Sequence, residues 1–293
     1  MVRRRSVVSL LLAWLLVPAA GAAGASAPAT PAGALTGRTV LDGKPVPGAV
    51  IEAVPFEEPL AQARRAARGE AEPKALLATT TAGDGTFALA LPASGETEAL
   101  FRVRVRAKGA VTADLPGVYE ASETAALGDL PLRKAEPLAG RVSTADGAPV
   151  SGARVTLHAR GGFDASAPLS PVPEETTTGA DGTFRFAGAA AERNALEVDA
   201  PGFARVRLEG LRGGVQRPIV LRPGTGVAGH VRRRDGSPAA GALVRFESAA
   251  VDSRWAEAGA DGAFVLEGLP AGRGVVVADA GDDGYAEVPL ATS

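Results

Sequence analysis

A short stretch occurs three times in the chain: Ala82-Gly83-Asp84-Gly85-Thr86-Phe87, Gly179-Ala180-Asp181-Gly182-Thr183-Phe184 and Gly259-Ala260-Asp261-Gly262-Ala263-Phe264. Asp-Gly supplies two residues that tolerate positive φ, as the favoured two-residue hairpin loop requires, and the Phe is the first large apolar side chain offered to a core. Each copy therefore reads as a tight turn feeding a strand. A second Asp-Gly turn precedes each of them, at Asp42-Gly43, Asp146-Gly147 and Asp235-Gly236, and is followed in turn by Gly48-Ala49, Gly152-Ala153 and Gly241-Ala242. Lining up both turns gives units of roughly 80–100 residues, the size of an independently folding β-sandwich.

Strands are expected wherever apolar residues alternate. Aligning the three glycines places Ile51 with Val155 and Val244, and Ala53 with Leu157 and Phe246, all inward; Val50, Arg154 and Leu243, then Glu52, Thr156 and Arg245, fall outward. After the main turn come Phe87/Leu89/Leu91, Phe184/Phe186 and Phe264/Leu266, and a later strand carries Val103/Val105, Leu196/Val198 and Val275/Val277 as core. Arg102, Arg104 and Arg106 then project as a solvated face. Leu130–Leu132 and Ile219–Leu221 suggest a last strand, for which the third unit shows no counterpart: either that strand is displaced or the edge is open. The short joints Arg133–Pro137 and Arg222–Gly226 predict an extended rod. An insertion at 55–77 carries a helix-favouring segment, Leu60–Ala67.

The pattern in the second unit, Gly140, Val142, Asp146, Gly147, Pro149, Gly152, Ala153 and Val155, then Thr178, Asp181, Gly182 and Phe184, resembles the carboxypeptidase regulatory-like domain. The resemblance implies an all-β chain of three tandem, transthyretin-like Greek-key sandwiches, a fold also described as carbohydrate-binding-like. The first unit departs at Thr39, where the others have Val142 and Val231; the third has Ala258 where Thr81 and Thr178 stand, and Ala263 inside the turn. The expected division is a signal peptide at 1–27, a lead-in at 28–34, and sandwiches at 35–134, 138–223 and 226–293. In carboxypeptidases the module accompanies a zinc peptidase domain; here His158 and His230 are the only histidines, expected singly and exposed in different units.

Arg3, Arg4 and Arg5, the apolar run Ser9–Val17 and small residues at Ala20–Ala22 or Ala25–Ala27 read as a secretory signal, too short to span a membrane. Export leads to the periplasm, the cell surface or the medium, with no stable membrane anchor once the signal is cleaved. The net charge of −2 becomes more negative when those arginines leave, which disfavours nucleic acid as a partner. With no cysteine there is no disulfide and no thiolate metal site. No cofactor or metal is expected: Asp279, Asp282 and Asp283 read as a solvated acidic tip rather than a calcium loop, and no placed histidine supports a nucleophile. Asn194, the only asparagine, and the scarcity of lysine argue against a Lys–Asn crosslink. Sugar-binding surfaces stack flat aromatic rings, so the candidate ligand residues are Trp255, Tyr119 and Tyr285, with Trp255 weighed more heavily as core filler. The resulting expectation is a non-enzymatic structural or interaction module at the bacterial envelope or outside the cell. The alternative is a polysaccharide- or peptidoglycan-binding protein, and the expected partners are a polysaccharide or another envelope protein.

Overall fold

The computed structural model describes residues 33–91, 99–159, 169–214, 216–248 and 254–292. The signal segment and most of the lead-in lie outside the described residues. Among those described, no helix is long and apolar enough to cross a membrane.

Among the described residues the chain is all-β, with one helix, Pro59–Ala67, and one short 3-10 turn. The second unit shows the plan. Its strands are Ala135–Ser143, Arg154–Ala159, Glu174–Thr177, Thr183–Ala190, Asn194–Asp199, Val206–Leu211 and Gln216–Val220. The fourth, first and seventh form one sheet, in which the seventh runs parallel to the first; the third, second, fifth and sixth form the other. Both sheets contribute to one apolar cluster that includes Leu138, Val142, Val155, Leu157, Phe184, Phe186, Leu196, Val198, Ile219 and Leu221. The first unit repeats this order, from Ala34–Leu41 to a parallel seventh strand Ala125–Leu132, around Leu35, Ile51, Phe87, Val103 and Leu130. The third has Thr225–His230, Leu243–Glu247, Arg254–Glu257, Ala263–Leu269, Gly272–Asp279 and Tyr285–Thr292, and its first strand pairs with its fourth alone among the described residues.

Most turns differ from the expected two-residue hairpin. Gly85, Gly182 and Gly262 have φ of 79°, 77° and 78°, but the aspartate before each does not have positive φ. The Gly85 N–H donates to the Ala82 carbonyl and the Ala82 N–H to Thr86, and the other two turns do the same, giving a type I turn closed by a left-handed glycine. Each aspartate instead accepts the N–H two residues on, at 3.0 Å in all three turns. Only Asp42-Gly43 has two positive φ values, 50° and 74°, as expected of the two-residue hairpin.

The inward sets on the second and fourth strands are buried as read. Three readings change. In the third unit Phe246 pairs with Val276 and Val244 with Ala278, so Val276 faces the core and Val275 and Val277 point to the other face. Three consecutive valines carry no alternation to fix the register. Leu243 occupies an outward slot yet is only 4% exposed, and Glu257, its cross-strand partner, takes Arg64 and Arg68 of the helix region. Arg104 is 4% exposed rather than solvated: with Arg102 it grips Glu72 from the insertion and Asp114 from the short strand Ala113–Asp114, at 2.7–3.2 Å.

The expected extended rod is also corrected. Helix Pro59–Ala67 packs on strand Arg254–Glu257 of the third unit, where the Arg64 guanidinium donates to the Gly241 carbonyl at 2.7 Å and to Glu257 at 2.8 Å. Ser170–Pro171, from the second unit, adds as a short strand to Ala113–Asp114 of the first, and Leu169 enters the first apolar cluster. Among the described residues the first sandwich therefore touches both the second and the third.

Candidate functional site

The outer face of the four-stranded sheet in the third unit brings two of the three candidate aromatics together. Trp255 lies opposite Arg245, Arg245 opposite Val277, and Val277 opposite Glu287, so one row of side chains crosses all four strands. Tyr285 stands two residues from Glu287, is 59% exposed, and its hydroxyl bonds to the Glu287 carboxylate. Three inter-strand steps separate the two ends of the row, about 14 Å. Tyr119 belongs elsewhere: it is 9% exposed in the first apolar cluster, with its hydroxyl 3.4 Å from the Pro116 carbonyl.

Trp255 is not core filler. Ala256 beside it points inward, whereas the indole lies half-buried on the outer face. The Arg245 guanidinium sits 5.3 Å from the ring centroid, within cation–π range, and is itself paired with Glu247. That guanidinium lies over one face of the indole, a surface that a pyranose would otherwise use. A shallow cleft of about 210 Å³ opens next to Tyr285, between Val231, Arg233, Ala239 and Asp283. It is smaller than the roughly 300 Å³ at which small-molecule pockets begin, and the Arg233–Asp283 ion pair at 2.7 Å spans part of it.

The other polar candidates are engaged in structure. Asp279 accepts the Gly281 N–H at 2.9 Å and Asp283 serves Arg233, so the acidic tip is divided between two tasks. No group of three metal-ligating side chains assembles among the described residues. His158 is half-buried on strand Arg154–Ala159, against the exposed position read for it, and His230 is exposed on Thr225–His230. Asn194 is fully buried: its Oδ1 accepts the Ala190 N–H at 2.9 Å, and its Nδ2 donates to the Ala190 and Leu211 carbonyls at 2.7 and 3.1 Å.

Two charged clusters escaped the sequence reading. Arg104 holds the Glu72 carboxyl well down, at about 2, by hydrogen bonding against the opposing effect of burial. Asp199, on the fifth strand of the second unit, meets Arg254 of the third at 2.9 Å, Arg154 at 3.1 Å and Arg205 at 3.5 Å. Burial pushes the Asp199 carboxyl up, and Arg254 with its neighbours more than reverses this, so it lies below the ordinary carboxylate range. Neither cluster has a periodic signature, because the partners come from a loop or from a different unit.

Residues 137–222 match the family model of the carboxypeptidase regulatory-like domain. The middle sandwich is similar to that domain over this stretch. Its matched glycines, Asp181, Thr178 and Phe184 all have turn or core roles in the geometry above. Similar solved structures include the TIE protein of Bacillus anthracis, at 14% identity and a TM-score of 0.24, over 90% of this chain and 49% of that one. The shaft pilin SpaA of Lactobacillus rhamnosus GG shows 13% identity and a TM-score of 0.28, over 66% of this chain and 98% of that one. A streptococcal ancillary pilin shows 13% identity and 0.26, over 89% and 96%. The chain thus spans about half the length of the first of these. No curated protein matches it.

Proposed function

We propose that the chain is an exported, non-enzymatic structural module of three sandwich domains, acting at the bacterial envelope or outside the cell. The observation that carries this reading is the use made of its charges. Arg102, Arg104, Glu72 and Asp114 fasten the insertion to the first sandwich, Arg254 and Asp199 join the second to the third, and Arg64 with Glu257 returns the first to the third. Charged groups that in an enzyme would converge on a substrate are here consumed in holding three small cores together. The aligned Asp-Gly turns and the three largest apolar clusters, one centred in each unit, support the division into domains at 35–134, 138–223 and 226–293.

Export is tested by producing the full chain with a C-terminal tag in a bacterium and determining the mass of the tagged protein in each fraction. Cleavage near Ala22 or Ala27 with recovery outside the cytoplasm supports the reading; an intact Met1 in the cytoplasm overturns it. The second reading, polysaccharide or peptidoglycan binding, is favoured by one observation: Trp255 and Tyr285 lie on the same face of one sheet. Trp255 fluorescence titrated with soluble polysaccharides decides it. A saturable shift lost in Trp255→Ala places carbohydrate first, and an unchanged spectrum leaves the structural reading.

A further inference from the structure

In the first two sandwiches the first strand is flanked on both sides, by the fourth strand and by a parallel seventh. The seventh strand, with the residue that follows it in the second unit, places Leu130 and Leu132, or Ile219 and Leu221, which are 1–7% exposed, over the core. In the third sandwich the strand Thr225–His230 has a free edge among the described residues. The apolar surface that a seventh strand covers elsewhere is correspondingly open. Leu35 and Leu138 are fully buried, whereas Val227 at the equivalent place is half-buried; Thr39 and Val142 are fully buried, whereas Val231 is half-buried. On the facing sheet Val288 pairs with Val276 as Leu208 pairs with Leu196, yet Val288 is 58% exposed and Leu208 packs on its core. Three positions on two sheets therefore point to the same missing cover.

The backbone is arranged to receive it. The Val231 N–H donates to the Gly262 carbonyl at 2.8 Å, so by alternation the polar groups of Ala228 and His230 point to the free edge, and both residues are exposed. A glycine sits beneath each Phe ring on these first strands. A Cβ on Gly140 would lie 2.4 Å from the Arg217 carbonyl of the seventh strand, and one on Gly37 3.1 Å from the Gly128 carbonyl. A Cβ on Gly229 would meet only the Phe264 ring, which leaves the space of that carbonyl open.

We infer that the Thr225–His230 edge binds an extended segment of another polypeptide as a parallel strand, with Leu, Ile or Val at alternate positions to cover Val227, Val231 and Val288. Main-chain bonds would supply affinity and the two alternating apolar side chains specificity, as in strand addition generally. The occupant's chemistry is defined by what fills the same place in the other two sandwiches. The inference stands on this geometry and not on where the protein is located.

A fluorescent peptide of the chain's own residues Gly214–Arg222 is the probe, titrated with the full chain and followed by anisotropy. The expected result is saturable binding, weakened roughly tenfold or more by Ala228→Pro, which removes one edge donor, and lost when the peptide carries serine in place of Ile219 and Leu221. Proline is tolerated on an edge whose N–H faces solvent, so the variant should keep its far-ultraviolet spectrum and melting temperature. Hydrogen exchange on the unaltered chain is the second readout: the Ala228 and His230 amides should slow when the peptide is added. No binding at millimolar peptide, equal binding by a folded Ala228→Pro, or unchanged exchange at those two amides overturns the inference. Self-association through this edge that the peptide does not displace also overturns it, in favour of a second copy.

Discussion

Asn194 joins the two ends of one turn. Its carboxamide makes three bonds to the backbone of Ala190 and Leu211 with no access to water, and the chain before it passes through Arg193 at a φ of 62°. Asn194→Ala leaves those buried groups unpaired and should cost about 3 kcal/mol, with an unpaired buried group worth roughly 1–3 kcal/mol; urea denaturation would show it as a lower midpoint at constant slope, and a shift near zero would mean that water replaces the side chain. Thr81 and Thr178 act similarly, each donating to one turn carbonyl at 2.7 Å and accepting an alanine N–H at 2.9 Å. Ala258 has no such hydroxyl, and the Ala242 N–H turns to the Ala239 carbonyl at 3.2 Å instead. Glu72 makes a pH prediction with a definite sign. Its carboxyl lies at about 2 against an ordinary 4.5, so the stability it contributes is complete above about 4.5 and is lost as pH falls towards 2. The melting temperature of Glu72→Gln should therefore lie below that of the unaltered chain at neutral pH and converge with it in acid; parallel curves would show that the carboxylate contributes nothing to folding.

At the scale of elements, the two Asp-Gly turns of a sandwich look alike in sequence and differ in surroundings. Gly147 has a φ of 88° with open space around it, while Gly182, at 77°, has the Val142 carbonyl 2.4 Å from where a Cβ would stand. Gly147→Ala should cost about 1 kcal/mol for the left-handed backbone alone. Gly182→Ala adds a clash with main chain and should cost at least twice as much, measured by denaturation of both variants; equal losses would show that the turn simply shifts. The repeat of Phe after each such turn made the sandwich legible, because turn chemistry and strand alternation are both local. What was not legible came from beyond the local window: the run Val275–Val277 slipped by one residue, and the burial of Leu243 depends on pairing with a strand whose outer face receives a helix some 180 residues earlier in the chain, as the 177 residues between Arg64 and Gly241 indicate. The candidate ligand residues fared similarly. Their types marked Trp255 and Tyr285, but that they share a face while Tyr119 is buried in another core follows from register, which composition does not contain.

For the whole molecule the deciding question is whether the sandwiches unfold together. Surface ion pairs singly contribute about 0–1 kcal/mol, so Arg64–Glu257, with side chains 36% and 20% exposed, would hold little by itself. Asp199 differs, because it is largely buried between the second and third sandwiches and receives three arginines, one of them from across the joint. Removing one partner of such a group leaves opposing charges buried without compensation, a cost of about 3–5 kcal/mol when burial is complete. Asp199→Asn should therefore separate the third sandwich's unfolding from the second's, splitting one calorimetric transition into two while leaving the first apolar cluster untouched. Acid should do the same to the unaltered chain: the depressed Asp199 carboxyl holds the joint above the ordinary carboxylate range, and the hold is lost as pH falls through its folded value. A single transition in Asp199→Asn at neutral pH would assign the coupling to the backbone instead, to the Arg205 N–H on the Gly268 carbonyl at 3.1 Å. In that case acid should leave the unaltered chain's transition undivided as well, so the two experiments test one cause by independent routes.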